Sequence, residues 1–441
     1  MGRRRPKGLC CIIPWEGMSD YYRDRCRHGG ILSNTFISFW WNRQVVSNQY
    51  GLAGRAARNW GADTIEGDKS SAELESLRHD QTIDNENNHF LDEPYYASRD
   101  YKLSDIEVPL LSVANWGGIL LHMRGNVHGY LGAGSKNKFL RFITGRHDLP
   151  FYLPKWVALQ ESFLNAFLKG DDKDGWTRGR VAPIGLVLRE GDVGYNDAEA
   201  ESKYPFRFEQ EWPIARTDYV KYYLSASGDL STNVPSSEQA ASTASYKALG
   251  NLKSPQLIQF STSPFQREIE FTGHVVAHLN VSCTRDSQDM TNASDTMDVD
   301  LFLTIRHLNA DSKEVLYTGT VGDPVPVTKG WLRASLRKTN SNEPKHTFWH
   351  PHREYLSTEA ELLTPGTVYE LNVEIWPTNV ILARGDRLVF EVSSGDTQGA
   401  GIFEHNSPKD RSVERFAGVN HLHFGEGRKN WVMMPEIPSD N

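Results

Sequence analysis

Apolar residues fall along this chain in two regimes. In the first, short unbroken apolar runs alternate with stretches of helical spacing. Residues 8–13 form the first run, the pattern of a strand buried on both faces of a parallel sheet. A second run covers 108–114, with Pro109 at the strand start, where a missing N–H is tolerated. A third covers 138–143. Between the last two, residues 120–134 read as a helix. From 153 to 169, Trp156, Leu159, Phe163 and Phe167 recur on one helical face, with Gly170 placed to end it. Strands alternating with helices in this way mark βαβ units. Residues 50–105 turn polar and irregular and read as an excursion out of the sheet, a cap. Beyond about Tyr204 the second regime begins. Runs at 273–281, 300–307, 368–375 and 387–392 alternate with period two between Gly/Pro/Asn-rich turns, as in an all-β sandwich. The expected fold class is α/β plus β: an α/β domain over 1–180 with its cap at about 50–105, a linker over 181–204, and a β-sandwich over 205–441.

Composition changes little in that picture. A chain of 441 residues suits two domains. A net charge of -8 and a pI near 6.0, with no basic face, argue against nucleic acid. No stretch reaches the ~18 apolar residues of a membrane span. The apolar run after Arg3, Arg4, Arg5 and Lys7 is too short for a secretory leader. Cys10, Cys11, Cys26 and Cys283 lack metal or redox spacing and read as reduced thiols of a cytoplasmic protein. His346, His350 and His352 have no carboxylate or cysteine at ligand spacing, and Pro351 disturbs them, so no metal is expected. The acidic run 286–300 lacks the central Gly and terminal Glu of a calcium loop. No organic cofactor is expected, and homo-oligomerisation is left open.

The third apolar run leads directly into Gly145-Arg146-His147. A His on a loop leaving the carboxyl end of a parallel strand can act as general base, taking a nucleophile's proton and returning it to a leaving group. Position alone leaves a surface or structurally satisfied His as the commoner reading. No Gly-x-Ser-x-Gly nucleophile elbow occurs. Gly132-Ala133-Gly134-Ser135 is its nearest imitation, but it follows a helix and lacks the closing Gly.

Lys329-Gly-Trp-Leu-Arg-Ala-Ser-Leu-Arg337 is preceded by Met297-Asp-Val-Asp-Leu-Phe302 and followed by Val373-Glu-Ile-Trp-Pro-Thr378 and Gly385-Asp-Arg-Leu388. In this order they resemble the C-terminal sandwich of the cocaine-esterase-like (CocE/NonD) and X-Pro dipeptidyl-peptidase family of serine hydrolases. The resemblance extends through Asn115-Trp116-Gly117-Gly118, residues 121–126, Gly145-Arg146-His147, Phe151-Tyr152 and the Trp156 helix. It implies a partial α/β-hydrolase domain, comprising about the last three strands of the sheet, followed by a jelly-roll-like sandwich. It also implies hydrolysis of an ester or amide bond through an acyl-enzyme, on a small-molecule or short-peptide substrate, with release of X-Pro dipeptides as one alternative and esterase against peptidase left open. His147 would be the base, and Trp116, Trp15 and Tyr152 would line the substrate.

Two departures follow. Gly118 stands where many relatives place the triad aspartate, and a glycine cannot orient an imidazole. The best substitute is Glu16, just past the first strand on the same rim as His147, with Asp20 next. Glu16 reads equally well as a helix cap or a partner of Arg23. If it is the acid, it should lie within hydrogen-bonding reach of His147. The second departure is the serine. In relatives it comes one helix before the strand matching 8–13, so the sequence reads as a truncated hydrolase. Expressed alone it should be inactive and expose an unpaired edge strand, while residues 205–441 should be soluble alone. The rival reading is a non-catalytic pseudo-hydrolase whose sandwich binds a ligand or partner.

Overall fold

The computed structural model describes residues 2–45, 59, 61, 69–77, 79–285 and 296–438. Most of 46–68 in the expected cap, and 286–295 in the acidic run, lie outside the described residues.

Strands β1 (Leu110–Asn115), β2 (Lys138–Ile143) and β3 (Ile184–Val187) run parallel in that order, and β4 (Phe206–Glu209) closes the sheet antiparallel. Helix α1 (Met123–Gly132) connects β1 to β2. Helix α2 (Pro154–Leu164) follows β2, continues as a wider turn to Lys169, and ends at Gly170 with φ +71. Its Trp156 and Phe163 are buried against Phe139, Ile143 and Trp176, with Leu159 and Phe167 packed alongside, as the helical spacing predicts.

Two expectations need correction. The 8–13 run is no fully buried strand. Its side chains from Leu9 to Trp15 are half-buried or exposed, and its pairing with β1 falls later, from Ile12 (N–H to Pro109 O, 2.9 Å) to Glu16 (N–H to Val113 O, 2.8 Å). Pro14 has no N–H to extend a ladder. The second concerns the boundary. The stretch read as a linker over 181–204 carries β3, and β4 comes from the stretch assigned to the sandwich. Four fully buried residues, Ile-Gly-Leu-Val, are too few to show a period.

The sandwich is a 12-stranded antiparallel sheet folded over one core. Its strands include β5 (Asp218–Leu224), β6 (Ser242–Lys247), β7 (Leu257–Ser261), β8 (Ile269–Thr284), β9 (Asp300–Leu308), β10 (Thr328–Arg333), β11 (Tyr369–Leu382), β12 (Arg387–Ser393), β13 (Val419–Phe424) and β14 (Trp431–Ile437). The path runs β7-β12-β9-β10-β11-β8-β14-β5, with β13 bridging β8 and β6. Its halves meet at a single pair, Gly330 with Ile375. A Cβ on Gly330 would lie 2.5 Å from Glu374 O, so no larger residue fits that join.

The strands are longer than the alternation implied, and β8 and β9 are buried on both faces. The reason is a cover that comes from the first hundred residues and α1. Ile31, Phe36, Trp116, Met123 and Val127 share the sandwich core, and Tyr22, Leu91 and Tyr96 pack on Leu336 and Tyr355. Several charges buried there are paired, which offsets the cost of removing them from water. Arg333 holds Asp300 with two 2.9 Å bonds and Asp410 at 2.8 Å, and Arg27 reaches Asp410 at 2.7 Å. Among the described residues no helix is long and apolar enough to cross a membrane.

Candidate active site

Three chain segments leave the same edge of the parallel sheet: Glu16–Gly17, Asn115–Gly118, and the turn after Ile143. Asn115 ties them together. Its Oδ1 accepts from Gly117 N–H at 2.9 Å, and its Nδ2 donates to Gly145 O at 2.7 Å and to Glu16 Oε1 at 3.2 Å. Gly117 is a close approach, since a Cβ there would lie 1.7 Å from Thr318 O in the sandwich. Thr320 O in turn receives the His147 backbone N–H at 3.0 Å. Both layers therefore position the His147 loop.

Glu16 holds a left-handed backbone, φ +43, uncommon for a residue with a side chain. Its carboxylate is buried, and its Oε2 lies 3.2 Å from His147 Nδ1. A carboxylate only accepts, so His147 Nδ1–H donates and Nε2 keeps its lone pair, the tautomer a general base requires. The ring is 41% exposed, and one face stacks on His122 at 5.1 Å. Burial raises the Glu16 pKa, opposed by the hydrogen bonds from His147 and Asn115. The Glu16 hydrogen bond raises that of His147 against the opposing effect of desolvation. His122 is pushed down to about 3 by burial and by the neighbouring His147, and stays neutral.

The other expected site residues fare differently. Asp20 is bound to Arg23 through the side chain and accepts from Arg23 N–H at 2.8 Å. Burial would raise its pKa, but Arg23 and Arg124 hold it below the ordinary value. Its carboxylate is committed away from His147. Trp116 is wholly buried, stacked on Phe142 at 4.0 Å and donating to Val187 O at 2.8 Å. It is core and corrects the substrate-binding expectation. Trp15 is half-buried, edge-on to Phe151 (5.3 Å) and Trp156 (6.5 Å). Tyr152 is 74% exposed on the turn after the His147 loop. Gly118 simply closes a turn onto Asn115 O.

A cavity of about 560 Å³ adjoins this loop, walled by Gly145, Arg146, Pro150, Trp156, Glu201 and Tyr204. His147 is not on its wall, so this hollow and the Glu16–His147 pair are neighbours rather than one site. Sequence reasoning passed over Asn115 while singling out the adjacent Trp116, and passed over His122, which sits inside the matched 121–126 stretch. Glu201 carried no signal.

The metal expectation also changes. His350 meets His128 of α1 and Glu374 of β11, with one donor atom from each all within 4.8 Å of one another. The carboxylate lacking in the local sequence comes from a distant strand. His352 turns instead to Glu354, at 3.2 Å.

Residues 187–433 match the X-Pro dipeptidyl-peptidase C-terminal non-catalytic domain, more than half the chain. The chain belongs to the CocE/NonD and X-Pro dipeptidyl-peptidase family. A CocE/NonD family hydrolase from Staphylococcus aureus shares its fold, with TM-score 0.75 at 21% identity over 99% of this chain and 69% of that one. An α-amino acid ester hydrolase superposes with TM-score 0.61 at 13% identity, covering 99% of this chain and 74% of that one. An aminopeptidase of a marine-sediment Thaumarchaeota archaeon gives 0.62 at 12% identity, over 98% and 73%. In sequence, a Mycobacterium bovis protein named "Putative serine esterase" is 26% identical over 156 residues, 35% of this chain. A Mycobacterium tuberculosis protein of the same description matches equally. The match spans 22% of those curated relatives.

Proposed function

We propose that this family member carries the base and its orienting acid for a serine-type hydrolysis of ester or amide bonds in small molecules or short peptides. The layer holding β1–β3 is then the closing part of an α/β-hydrolase sheet. His147 Nε2 takes the proton of a serine hydroxyl as it attacks the carbonyl carbon, then delivers it to the departing alcohol or amine. Water repeats the sequence to release the acid. Glu16 acts as a positioning residue: it holds the Nδ1–H tautomer and stabilises the imidazolium as it forms. The serine in this reading belongs to a segment outside these 441 residues, because the sequence has no nucleophile elbow. The observation that carries the proposal is the 3.2 Å contact between buried Glu16 and half-exposed His147 at the carboxyl rim of parallel strands.

The test uses p-nitrophenyl acetate. The chain alone should show no turnover above buffer, and fusion to a serine-bearing hydrolase segment of a relative should restore it. In the restored enzyme His147→Ala should abolish turnover. Glu16→Gln should lower kcat roughly 10⁴-fold, as wrong-tautomer lesions do in other triads, with an altered acid limb of the pH profile. Steady hydrolysis by the chain alone, lost in His147→Ala, would place the nucleophile within the chain and overturn this account of the serine.

A further inference from the structure

Away from the Glu16–His147 pair, α1 lies against β11 and presents Arg124 and His128, one helical turn apart, to Glu374. The loop before β11 brings His350 to the same carboxylate. His128 Nε2 lies 3.4 Å from Glu374 Oε1 and His350 Nε2 lies 3.8 Å from Glu374 Oε2, with the two imidazole centres 4.6 Å apart.

The hydrogen bonding around these atoms is incomplete in one direction. His350 Nδ1 is 2.8 Å from Lys345 O. A carbonyl only accepts, so this nitrogen carries the ring proton and Nε2 is a bare lone pair facing a carboxylate oxygen. His128 Nε2 is buried and makes no hydrogen bond. The Nε2 atoms of two imidazoles therefore converge on one carboxylate, and with the His128 proton on Nδ1 both lone pairs are free to take a cation there.

Arg124 does not occupy the whole carboxylate. It donates to Oε1 from Nε at 2.9 Å and to Oε2 from Nη2 at 3.2 Å, while its Nη1 goes to Asp24 at 2.8 Å. Each Glu374 oxygen keeps a further lone-pair site. Asp20 and Asp24, behind Arg124, offset its charge together with Arg23.

We propose that His128, His350 and Glu374 bind a divalent transition-metal ion, zinc foremost, as a clasp between the α/β layer and the sandwich. Two imidazoles and one carboxylate form a zinc ligand set that leaves a fourth position for water. A tetrahedral ion with bonds of about 2.0–2.1 Å holds its ligands about 3.4 Å apart, so donor atoms now within 4.8 Å of one another must draw in by about 1.4 Å at most. The His350 bond to Lys345 O is the outer-shell support that fixes a ligating histidine's tautomer. The ion ties α1, the 345–350 loop and β11 together, so its effect falls on stability and is independent of the hydrolytic reading.

The full chain, stripped with chelator and dialysed against zinc, is assayed for metal by mass spectrometry and for melting temperature by calorimetry. About one zinc per chain and a saturable rise in melting temperature are expected. The rise should be reversed by EDTA. His128→Gln and His350→Gln should each melt cooperatively without zinc and lose both the bound metal and the temperature response. If either variant fails to fold, histidine nitrogen NMR of the unmodified chain decides, with zinc shifting the Nε2 signals of His128 and His350. A chain that retains no zinc after gel filtration overturns the proposal, as does one whose zinc survives both substitutions or shifts other histidines.

Discussion

Glu16 and His147 are 131 positions apart, and each changes what the other can do. The hydrogen bond from Glu16 raises the His147 pKa, so by nuclear magnetic resonance its ring should titrate above the ordinary value of about 6.5. Glu16→Gln should bring that midpoint down, and an unchanged midpoint would show that the contact is not made in solution. The sign for stability follows. A folded value above the unfolded one adds stability that is complete below about pH 6.5 and fades as pH rises through the folded value. In a complete enzyme the base form exists only above that value, which moves the acid limb of the rate profile toward alkaline pH. Trp116 makes the contrasting case. Buried and stacked on Phe142, it should cost about 3–5 kcal/mol of stability as Trp116→Ala in urea melts. A variant of unchanged stability would return Trp116 to a role in binding.

The sandwich strands bury charge that a period-two pattern assigns to solvent. Arg333, at the end of β10, reaches Asp300 at the start of β9 and Asp410 in the loop before β13, and Asp410 also holds Arg27 from the first segment. Removing the central cation leaves two carboxylates buried with fewer partners. Arg333→Met should therefore destabilise by about 3–5 kcal/mol, the size found when one partner of a buried pair is deleted. Chemical denaturation with a full baseline measures it, and a loss below about 1 kcal/mol, the range of exposed pairs, would show that the network is open to water.

Taken as one body, the chain does not divide where its hydrophobic pattern changes. The sandwich's outer face is covered by Tyr22, Ile31, Phe36, Leu91 and Tyr96, all from the first hundred residues. A fragment of residues 205–441 loses that cover and the Arg27 partner of Asp410. It should bind a hydrophobic dye more strongly and melt lower than the full chain, reversing the expectation that it is the more soluble piece. Equal dye binding and equal melting temperature would show that the cover contributes little.

The elements readable from sequence were those whose cause is local. The α2 face of Trp156, Leu159, Phe163 and Phe167 and the unbroken runs of β1 and β2 follow from spacing and burial within one segment. The family resemblance lay in similarly short stretches, and it pointed to His147. Glu16 was reachable because two strand ends share a rim, a topological inference that needs no coordinates. Tertiary structure alone decided the rest, because each remaining feature depends on atoms far apart in the chain. Trp116 is core because Phe142 and Val187 meet it across the sheet. Asp20 is excluded because Arg23 takes its carboxylate. β3 joins the parallel sheet, although four buried residues show no period. His128, His350 and Glu374 share no local spacing and converge only where α1 crosses β11.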